Sequence, residues 1–298
     1  MTRQKFLQSL FNSDGLGLEI GPSHCPVFPK RDGFNIETVD YAPTEDLRRK
    51  YSEMGIPSDH IENVDYVTNG KSLADTIPHR NRYDYIFSSH NIEHLTDIVD
   101  FFISCELLLS PGGKVVLAIP DKRFMFDGMR HPSTSGEILE AHYHSANRHS
   151  LRAIFDYNTN ILFMDGQNTW NRDSRGTLAF EKDPSAAKAQ FDLASQTTEY
   201  LDIHGWCFTP ASFRLIMQDL NDLGLTHLGL DHIASMENWE FYAVLSAQEK
   251  FTTSNRLDLA KDVLREEVIS GLQLLAEDDP VMGLALQALR RPDPARLW

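Results

Sequence analysis

Short apolar runs alternate with amphipathic segments over the first 120 residues of the chain. The runs LGLEIG, NIETVDYA, YDYIFSS and KVVLAIP, with a weaker one near IENVDYV, are rich in the β-branched and aromatic residues that strands favour. Between YDYIFSS and KVVLAIP, apolar residues recur at helical spacing, namely Ile98, Phe101, Phe102 and Cys105. Strands and helices that alternate in this order predict an α/β fold with a mostly parallel sheet.

The periodicity is lost after the fifth predicted strand and returns near residue 205. Residues 122–204 are rich in polar and aromatic side chains, which predicts either a large substrate-binding or lid insertion or helices hidden by the composition. TPASFRLIMQDLNDLG then predicts a helix capped by Thr209 and ended by Gly224. THLGLDHIASM and NWEFYAVLSAQ predict a closing pair of strands, which brings the sheet to seven strands.

The C-terminal segment is predicted to be a helical tail. Leu264, Val268, Leu272 and Leu275 form an apolar stripe, so we expect the tail to dock on the body of the protein or to join two copies of the chain as a homo-oligomer. The predicted organisation is a core formed by residues 1–121 and 205–250, an insertion at 122–204 and a tail at 251–298.

Charge and composition narrow the classes of partner. The chain has 28 basic and 43 acidic side chains and a formal charge of −15, which disfavours binding to nucleic acid. Its three cysteines form no CxxC pair, so neither a disulfide framework nor a zinc cluster is indicated. No apolar run approaches the roughly 20 residues of a membrane helix, and no signal peptide is recognised. We expect a soluble, cytoplasmic protein that acts on a small or neutral substrate.

The segment LEIGPSHCP follows the first strand, where α/β sheets bind nucleotides. Ser23 and Cys25 stand where a dinucleotide loop would carry further glycines, which disfavours a pyrophosphate ligand. Asp40, nineteen residues after Gly21, ends the second strand, where a carboxylate can accept hydrogen bonds from both ribose hydroxyls. Glu19 lies inside an apolar strand, so its burial requires an amine or a ring of backbone N–H groups as partner.

These residues carry a resemblance to a known family. Glu19-Ile20-Gly21, Asp40, Asp65, YDYIFSSHNIEHL and LLLSPGGKVVLAIPD resemble the ordered motifs of the class I S-adenosylmethionine-dependent methyltransferases over Leu16 to Asp121. The resemblance implies a Rossmann-like, doubly wound sheet and S-adenosylmethionine as cofactor. It also implies that the Gly21 loop holds the methionine part, Asp40 the ribose and Asp65, expected after the third strand, the adenine. The predicted cofactor-binding residues are Glu19, Gly21, Pro22, Ser23, Asp40, Tyr41, Asp65, Ser88, Ser89 and His90.

A second resemblance concerns the acceptor. IPDKRFMFDGMRHPST and IHGWCFTPASF are similar to segments of bacterial methyltransferases found alongside glycosyltransferases, which implies a saccharide or glycan acceptor. Methyl transfer to a sugar hydroxyl needs an aligned acceptor and a base for its proton, and histidine is the usual base. The predicted catalytic residues are His94, His204 and His144, and the predicted substrate-binding residues are Asp121, Arg123, Arg130 and His131.

Two alternative functions remain open at the level of sequence. A nicotinamide-dependent oxidoreductase or epimerase would have a glycine-rich loop and usually a Tyr-x-x-x-Lys pair, and the chain has neither. A non-catalytic member of the same fold would bind a partner through its acidic surface or its tail. His142 and His144 would share a face of a strand but not of a helix, and no metal site is predicted.

Overall fold

A seven-stranded sheet forms the centre of the computed structural model, which describes residues 2–236, 238–247, 254–275 and 280–289. The strands are β1 (Gly17–Ile20), β2 (Ile36–Asp40), β3 (Tyr66–Val67), β4 (Tyr83–Ser89), β5 (Leu109–Pro120), β6 (Leu162–Met164), β7 (Leu178–Phe180), β8 (Leu228–Ser235) and β9 (Glu240–Ala247). The helices are α1 (Arg3–Ser9), α2 (Thr44–Glu53), α3 (Leu73–Thr76), α4 (Ile98–Leu108), α5 (Ser135–Tyr143), α6 (Leu151–Thr159), α7 (Pro184–Ser195), α8 (Pro210–Asp222), α9 (Arg256–Leu275) and α10 (Pro280–Leu289).

The strand order places a topological switch point beside β1. The order across the sheet is β3-β2-β1-β4-β5-β9-β8, and β9 is antiparallel to both of its neighbours. Ile20 of β1 pairs with Val39 of β2 on one side and with Ser88 of β4 on the other. The carboxyl ends of three strands therefore lie at one level, where open α/β sheets bind ligands. The predicted Rossmann-like, mostly parallel α/β fold is confirmed.

Both faces of the sheet are covered by apolar side chains. In β4, Tyr85 and Phe87 pack with Phe28 on one face, whereas Ile86 packs with the cluster of Phe102 and Phe213 on the other. This alternation follows the two-residue period of a strand, and burial on both faces explains why β4 reads as a nearly continuous apolar run. None of the helices within the described ranges has the length and apolar character needed to cross a bilayer.

The segment predicted as an insertion, residues 122–204, contains α5, α6, α7 and the β6–β7 hairpin. Of the two possibilities that the sequence left open, hidden helices are therefore present. Their composition explains why the periodicity was weak, since the residues of α7 buried against its surroundings are Ala187 and Ala194. A local signal was available for α5, because Thr134 and Glu137 form a reciprocal capping box. The division of the chain into core, insertion and tail stays a prediction.

The tail docks on the body through a face that the apolar stripe did not indicate. Leu274 of α9 packs into a cluster with Phe124 and Trp170 of the insertion. Ion pairs add to this joint, among them Arg123–Glu266 at 3.2 Å, Lys122–Glu267 at 3.0 Å and Arg256–Asp219 at 2.6 Å. Leu264, Val268 and Leu275 are 66%, 56% and 50% exposed, so much of the predicted stripe faces away from the body. Association of two copies through this stripe stays a prediction.

Leu274→Ala is expected to lower the free energy of unfolding by about 2 kcal/mol, because it removes a buried side chain and leaves a cavity. Leu275→Ala is the matched control, since the neighbouring leucine is exposed and its loss should change stability by no more than about 0.5 kcal/mol. Urea unfolding of both variants measures the difference. Equal effects of the two substitutions would show that α9 does not dock as described.

Candidate functional site

Gly21, Asp40 and Ser88 meet where β1, β2 and β4 end. Gly21 has a φ of +63°, and no described atom lies within 4 Å of the place where a Cβ would stand. Asp40 is 4% exposed, and its Oδ1 accepts a hydrogen bond from the Tyr41 amide at 2.8 Å. Asp40 Oδ2 and Ser88 Oγ are buried without a hydrogen-bond partner among the described residues. A buried polar atom left unpaired costs about 1–3 kcal/mol, so these two atoms indicate a place for polar groups of a ligand.

Glu19 holds the loop after β1 through hydrogen bonds with the backbone. Its Oε1 accepts from the Val27 amide at 2.7 Å and its Oε2 from the Phe28 amide at 3.1 Å. Of the two partners that the sequence allowed, backbone N–H groups are therefore the ones present. Burial raises the pKa of Glu19 to about 7, although these two hydrogen bonds favour its ionised form. Both carboxylate oxygens are engaged by the chain, so Glu19 positions the loop.

Glu19→Gln is expected to flatten the pH dependence of stability between pH 4.5 and 7. In that window folded Glu19 still holds a proton that the unfolded chain has released, so the free energy of unfolding falls as pH rises. Each unit by which the folded pKa exceeds the unfolded one is worth about 1.4 kcal/mol, and glutamine removes this contribution. Urea unfolding of the wild type and of Glu19→Gln, at a pH below 4.5 and at a pH above 7, measures this difference in the free energy of unfolding. An unchanged slope in the variant would mean that Glu19 does not titrate in this way.

Asp65 lies at a different place from the one predicted. It precedes β3 instead of following it, and its Oδ2 accepts from the Thr38 amide at 2.7 Å and from Lys30 Nζ at 2.5 Å. The cause is the shortness of β3, which begins only at Tyr66. Beyond the carboxyl ends of β2 and β3 an open groove of about 650 Å³ is lined by Tyr41, Thr68 and Asn69, among others. These residues, and not Asp65, border the groove next to Asp40.

The remaining predicted cofactor residues lie in two loops around the same strand ends. After β1, the Pro22 carbonyl accepts a hydrogen bond from the Cys25 amide, and Ser23, with a φ of +52°, bonds through its hydroxyl to Tyr51. After β4, His90 has a φ of +48°. Residues in this left-handed region are uncommon outside glycine, so both loops have sharply turned backbones at the switch point.

The N-terminal helix fixes the second of these loops, which the sequence did not indicate. Arg3 of α1 donates to Ser89 Oγ at 2.7 Å and pairs with Glu240 at 2.6 Å, while His90 Nε2 lies 3.0 Å from Glu240. Burial alone would raise the pKa of Glu240, but the contacts with His90 and Arg3 lower it to about 2. Glu240 is therefore an ionised anchor that joins α1, β9 and the loop after β4.

A cluster of one carboxylate and two imidazoles follows this loop. Glu93 is 1% exposed, and neither of its oxygens has a hydrogen-bond partner in the described part of the chain. Its Oε1 lies 3.7 Å from His94 Nε2 and 3.9 Å from His204 Nε2. The two rings are perpendicular, with centroids 4.8 Å apart. The predicted residues His94 and His204, 110 positions apart in the chain, are thus brought together.

Each histidine of this cluster has a carboxylate at its other ring nitrogen. Asp127 Oδ2 lies 2.6 Å from His204 Nδ1, and Asp202 Oδ1 lies 2.8 Å from His94 Nδ1. Arg130 pairs with Asp127 at 2.7 Å and donates to the His204 carbonyl at 2.7 Å. Burial would raise the pKa of Asp127, but Arg130 and His204 hold it at about 2. Burial would likewise lower the pKa of His94, but Asp202 and Glu93 raise it overall.

The predicted substrate-binding residues have other partners. Arg123 pairs with Asp121 through two hydrogen bonds of 2.8 and 2.6 Å, and Arg130 pairs with Asp127. The charge of each guanidinium is therefore balanced by a carboxylate of the chain, and binding of the acceptor by these residues stays a prediction. Arg123 also pairs with Glu266 of α9, and Arg130 positions His204. His131 is exposed beside them.

His144 is not part of the cluster around Glu93. It is exposed at the end of α5 and borders a cavity of about 460 Å³ that is also lined by His149 and Trp206. His149 Nε2 lies 3.1 Å from the His94 carbonyl, and burial lowers the pKa of His149 to about 4. His149 is therefore a neutral residue that holds the loop of His94 in place. His142, on the same helix, pairs with Asp97 at 2.9 Å.

Aromatic rings border the histidine pair on one side. The ring of Phe126 lies 4.7 Å from that of His204, and the ring of Tyr157 lies 6.2 Å from it. Tyr200 is 46% exposed, and its hydroxyl donates to the His94 carbonyl at 3.1 Å. Phe124 and Trp170, by contrast, are buried in the core of the insertion.

The comparisons with known proteins agree with this architecture. A family model described as "Methyltransferase domain" matches residues 3–221. No curated protein matches the chain significantly. Among solved structures, a SAM dependent methyltransferase from Aquifex aeolicus is 12% identical, with 83% of this chain and 90% of that chain covered and a TM-score of 0.42.

Two further solved structures are similar at the same distant level. The CcbJ methyltransferase from Streptomyces caelestis is 14% identical, with 82% of this chain and 94% of its own covered and a TM-score of 0.43. Geranyl diphosphate C-methyltransferase from Streptomyces coelicolor A3(2) is 11% identical, with 83% of this chain and 78% of that chain covered and a TM-score of 0.39. Likenesses this low say nothing about the acceptor or about individual residues of this chain.

Proposed function

The chain belongs to the methyltransferase-domain family and is an S-adenosylmethionine-dependent methyltransferase, and from this premise we propose that it methylates a hydroxyl of a saccharide or glycan. The observation that carries the proposal is the cluster of Glu93, His94 and His204 directly after the cofactor-facing end of β4. Membership of this family does not fit the nicotinamide-dependent alternative.

The residues at the strand ends fit this cofactor. In the proposed arrangement, the unpaired Asp40 Oδ2 accepts from the ribose, Ser88 Oγ serves a polar group of the methionine part, and the open space beside Gly21 admits the cofactor close to the backbone. The groove bordered by Tyr41, Thr68 and Asn69 then takes the adenine in place of the expected contact with Asp65. When bound, S-adenosylmethionine supplies a methyl group on a sulfonium, whose leaving group is a neutral thioether.

A hydroxyl acceptor must lose its proton as the new bond forms, and we assign that proton to the histidine pair. Asp127 at 2.6 Å fixes the His204 tautomer that has its proton on Nδ1, which leaves the Nε2 lone pair directed toward Glu93 and His94. A base held in this way contributes about 10²–10⁴-fold to the rate. His204 is therefore the proposed base in the metal-free chain, with Asp127 and Arg130 as positioning residues.

The surroundings of the cluster favour a sugar ring as the acceptor. Sugars present apolar C–H faces and polar edges, and Phe126, Tyr157 and Tyr200 offer aromatic surface beside the imidazoles. The formal charge of −15 and the neutralised arginines disfavour a strongly anionic acceptor.

Incubation with methyl-labelled S-adenosylmethionine and a panel of acceptors tests the proposal. The panel contains free saccharides, sugar nucleotides and lipid-linked glycans, with amine and enolate acceptors of similar size as controls. Label on a sugar oxygen is the expected result. Transfer only to nitrogen or carbon acceptors would contradict the proposed acceptor while leaving the methyltransferase activity in place.

A further inference from the structure

We propose that Glu93, His94 and His204 form a binding site for one divalent transition-metal ion such as Zn²⁺. The three side chains each offer one ligand atom, and these atoms lie within 4.8 Å of one another. Both Nε2 atoms face the same carboxylate oxygen, at 3.7 and 3.9 Å. Imidazole nitrogen and carboxylate oxygen are the donors that zinc and neighbouring transition metals take in sites of this kind.

The spacing is close to that of a coordination shell. With metal–ligand bonds of about 2.0–2.1 Å and tetrahedral angles, two ligands of zinc lie about 3.3 Å apart. The two Glu93–histidine separations exceed this by about half an ångström, and the three ligand atoms lie within 4.8 Å of one another, so the side chains must rotate toward a common centre to complete the shell. The two rings stand perpendicular, with centroids 4.8 Å apart.

The groups behind the histidines match the surroundings of a metal site. Metal-binding histidines usually donate their other ring N–H to a carboxylate, which fixes the ring and the tautomer. Asp127 stands 2.6 Å from Nδ1 of His204, and Asp202 stands 2.8 Å from Nδ1 of His94. The hydrogen bond with Asp127 keeps Nε2 of His204 available as a ligand, whereas Asp202 is close to His94 without forming a hydrogen bond of suitable geometry. A carboxylate behind each of two rings is more than a general base requires.

The state of Glu93 is the independent observation that indicates a missing cation. A carboxylate that is 1% exposed, with no hydrogen bond to either oxygen from any described residue, is costly to bury. Arg130 is paired with Asp127, and the groups nearest to Glu93 Oε1 are imidazoles, those of His94, His204 and His90 at 3.7, 3.9 and 3.8 Å, so no arginine or lysine of the described residues pairs with Glu93. A divalent ion would supply both the missing charge and the missing partners.

Three protein ligands leave a tetrahedral ion with one open position, as in catalytic zinc sites. This part of the inference rests on the proposed function: a hydroxyl oxygen of the acceptor fills the open position. A hydroxyl bound to the ion releases its proton to water more readily than a free one. In the metal-loaded chain His94 and His204 are therefore ligands, and His204 is a base only in the metal-free chain.

Titration calorimetry with Zn²⁺ and Co²⁺ on chelator-stripped full-length protein tests the site. We expect one equivalent to bind, and Glu93→Gln and His204→Gln to weaken binding at least about 100-fold, since loss of a partner behind a ligand already costs about 10–100-fold. His227→Gln, which changes an exposed histidine paired with Glu106, is the matched control and should bind as the wild type does. Retained S-adenosylmethionine binding shows that the variants are folded.

Wild-type protein that binds no stoichiometric metal, or variants that bind it normally, would overturn the metal site. This failure is distinct from failure of the proposed function, because methyl transfer to saccharides is measured separately with and without chelator. Full turnover by chelated, metal-free enzyme would contradict the role of the ion in releasing the acceptor's proton and would retain the histidine base, while binding of the ion is decided by the calorimetry. Stoichiometric metal that is lost in Glu93→Gln supports the site even if the acceptor is not a saccharide.

Discussion

Asp40→Ala is expected to weaken S-adenosylmethionine binding about 100-fold. A buried carboxylate that accepts from the ribose forms charge-assisted hydrogen bonds worth about 1.5–3 kcal/mol each, and about 1.4 kcal/mol corresponds to a factor of ten in affinity. The proposed acceptor is Asp40 Oδ2, which has no hydrogen-bond partner among the described residues. The substitution removes this atom, and alanine offers no acceptor in its place. Titration calorimetry with S-adenosylmethionine and S-adenosylhomocysteine measures the change.

Two controls accompany this variant. Asp262→Ala removes an exposed carboxylate of α9 and should leave the dissociation constant unchanged. Because Asp40 Oδ1 also accepts from the Tyr41 amide, thermal unfolding shows whether the loop remains folded in the variant. Wild-type affinity in a folded Asp40→Ala protein would remove Asp40 from the cofactor site.

His204→Gln is expected to lower kcat by about 10²–10⁴-fold, the range attributed to a positioned acid or base. Glutamine keeps a polar group near Asp127 but cannot take up the acceptor's proton at neutral pH. The cofactor-binding strand ends do not include His204, so the dissociation constant for S-adenosylmethionine should stay within about threefold of the wild-type value. Labelled methyl transfer under single-turnover conditions separates the chemical step from binding.

His232→Gln is the control for this experiment, since it changes an exposed histidine on β8. A parallel Asp127→Asn variant tests whether His204 needs its proton to be held on Nδ1. Asparagine lacks the negative charge of Asp127 that favours this tautomer. Normal kcat in His204→Gln would mean that the proton leaves by another route and that the histidine pair does not serve catalysis.

The sheet could be predicted from the sequence because its strands are buried on both faces. Their apolar runs are nearly continuous, and helices such as α8 carry complete start and stop signals in Thr209, Pro210 and Gly224. The insertion helices escaped prediction because they bury small residues such as Ala187 and Ala194. The docked face of α9 includes Ser270 and Gln273, so the apolar stripe did not indicate this face.

The cofactor end of the site was more predictable than the acceptor end. Gly21, Asp40 and Ser88 lie at the ends of strands that the apolar runs predicted, and the family resemblance implied that these ends meet at the cofactor. The contact between Asp127 and His204 joins residues 77 positions apart across an irregular segment, and no periodic signal marks it. The carboxylate partners of Arg123 and Arg130 are Asp121 and Asp127, only two and three residues earlier in the chain, and binding of the acceptor by these arginines stays a prediction.

The most direct test of the central claim is a crystal structure of the protein with S-adenosylhomocysteine. The account predicts ribose hydroxyls within hydrogen-bond distance of Asp40, the amino acid part against Gly21 and Ser88, and the sulfur directed toward Glu93 and the histidine pair. Adenosine bound away from the ends of β1, β2 and β4, with Asp40 Oδ2 still unpaired, would contradict it.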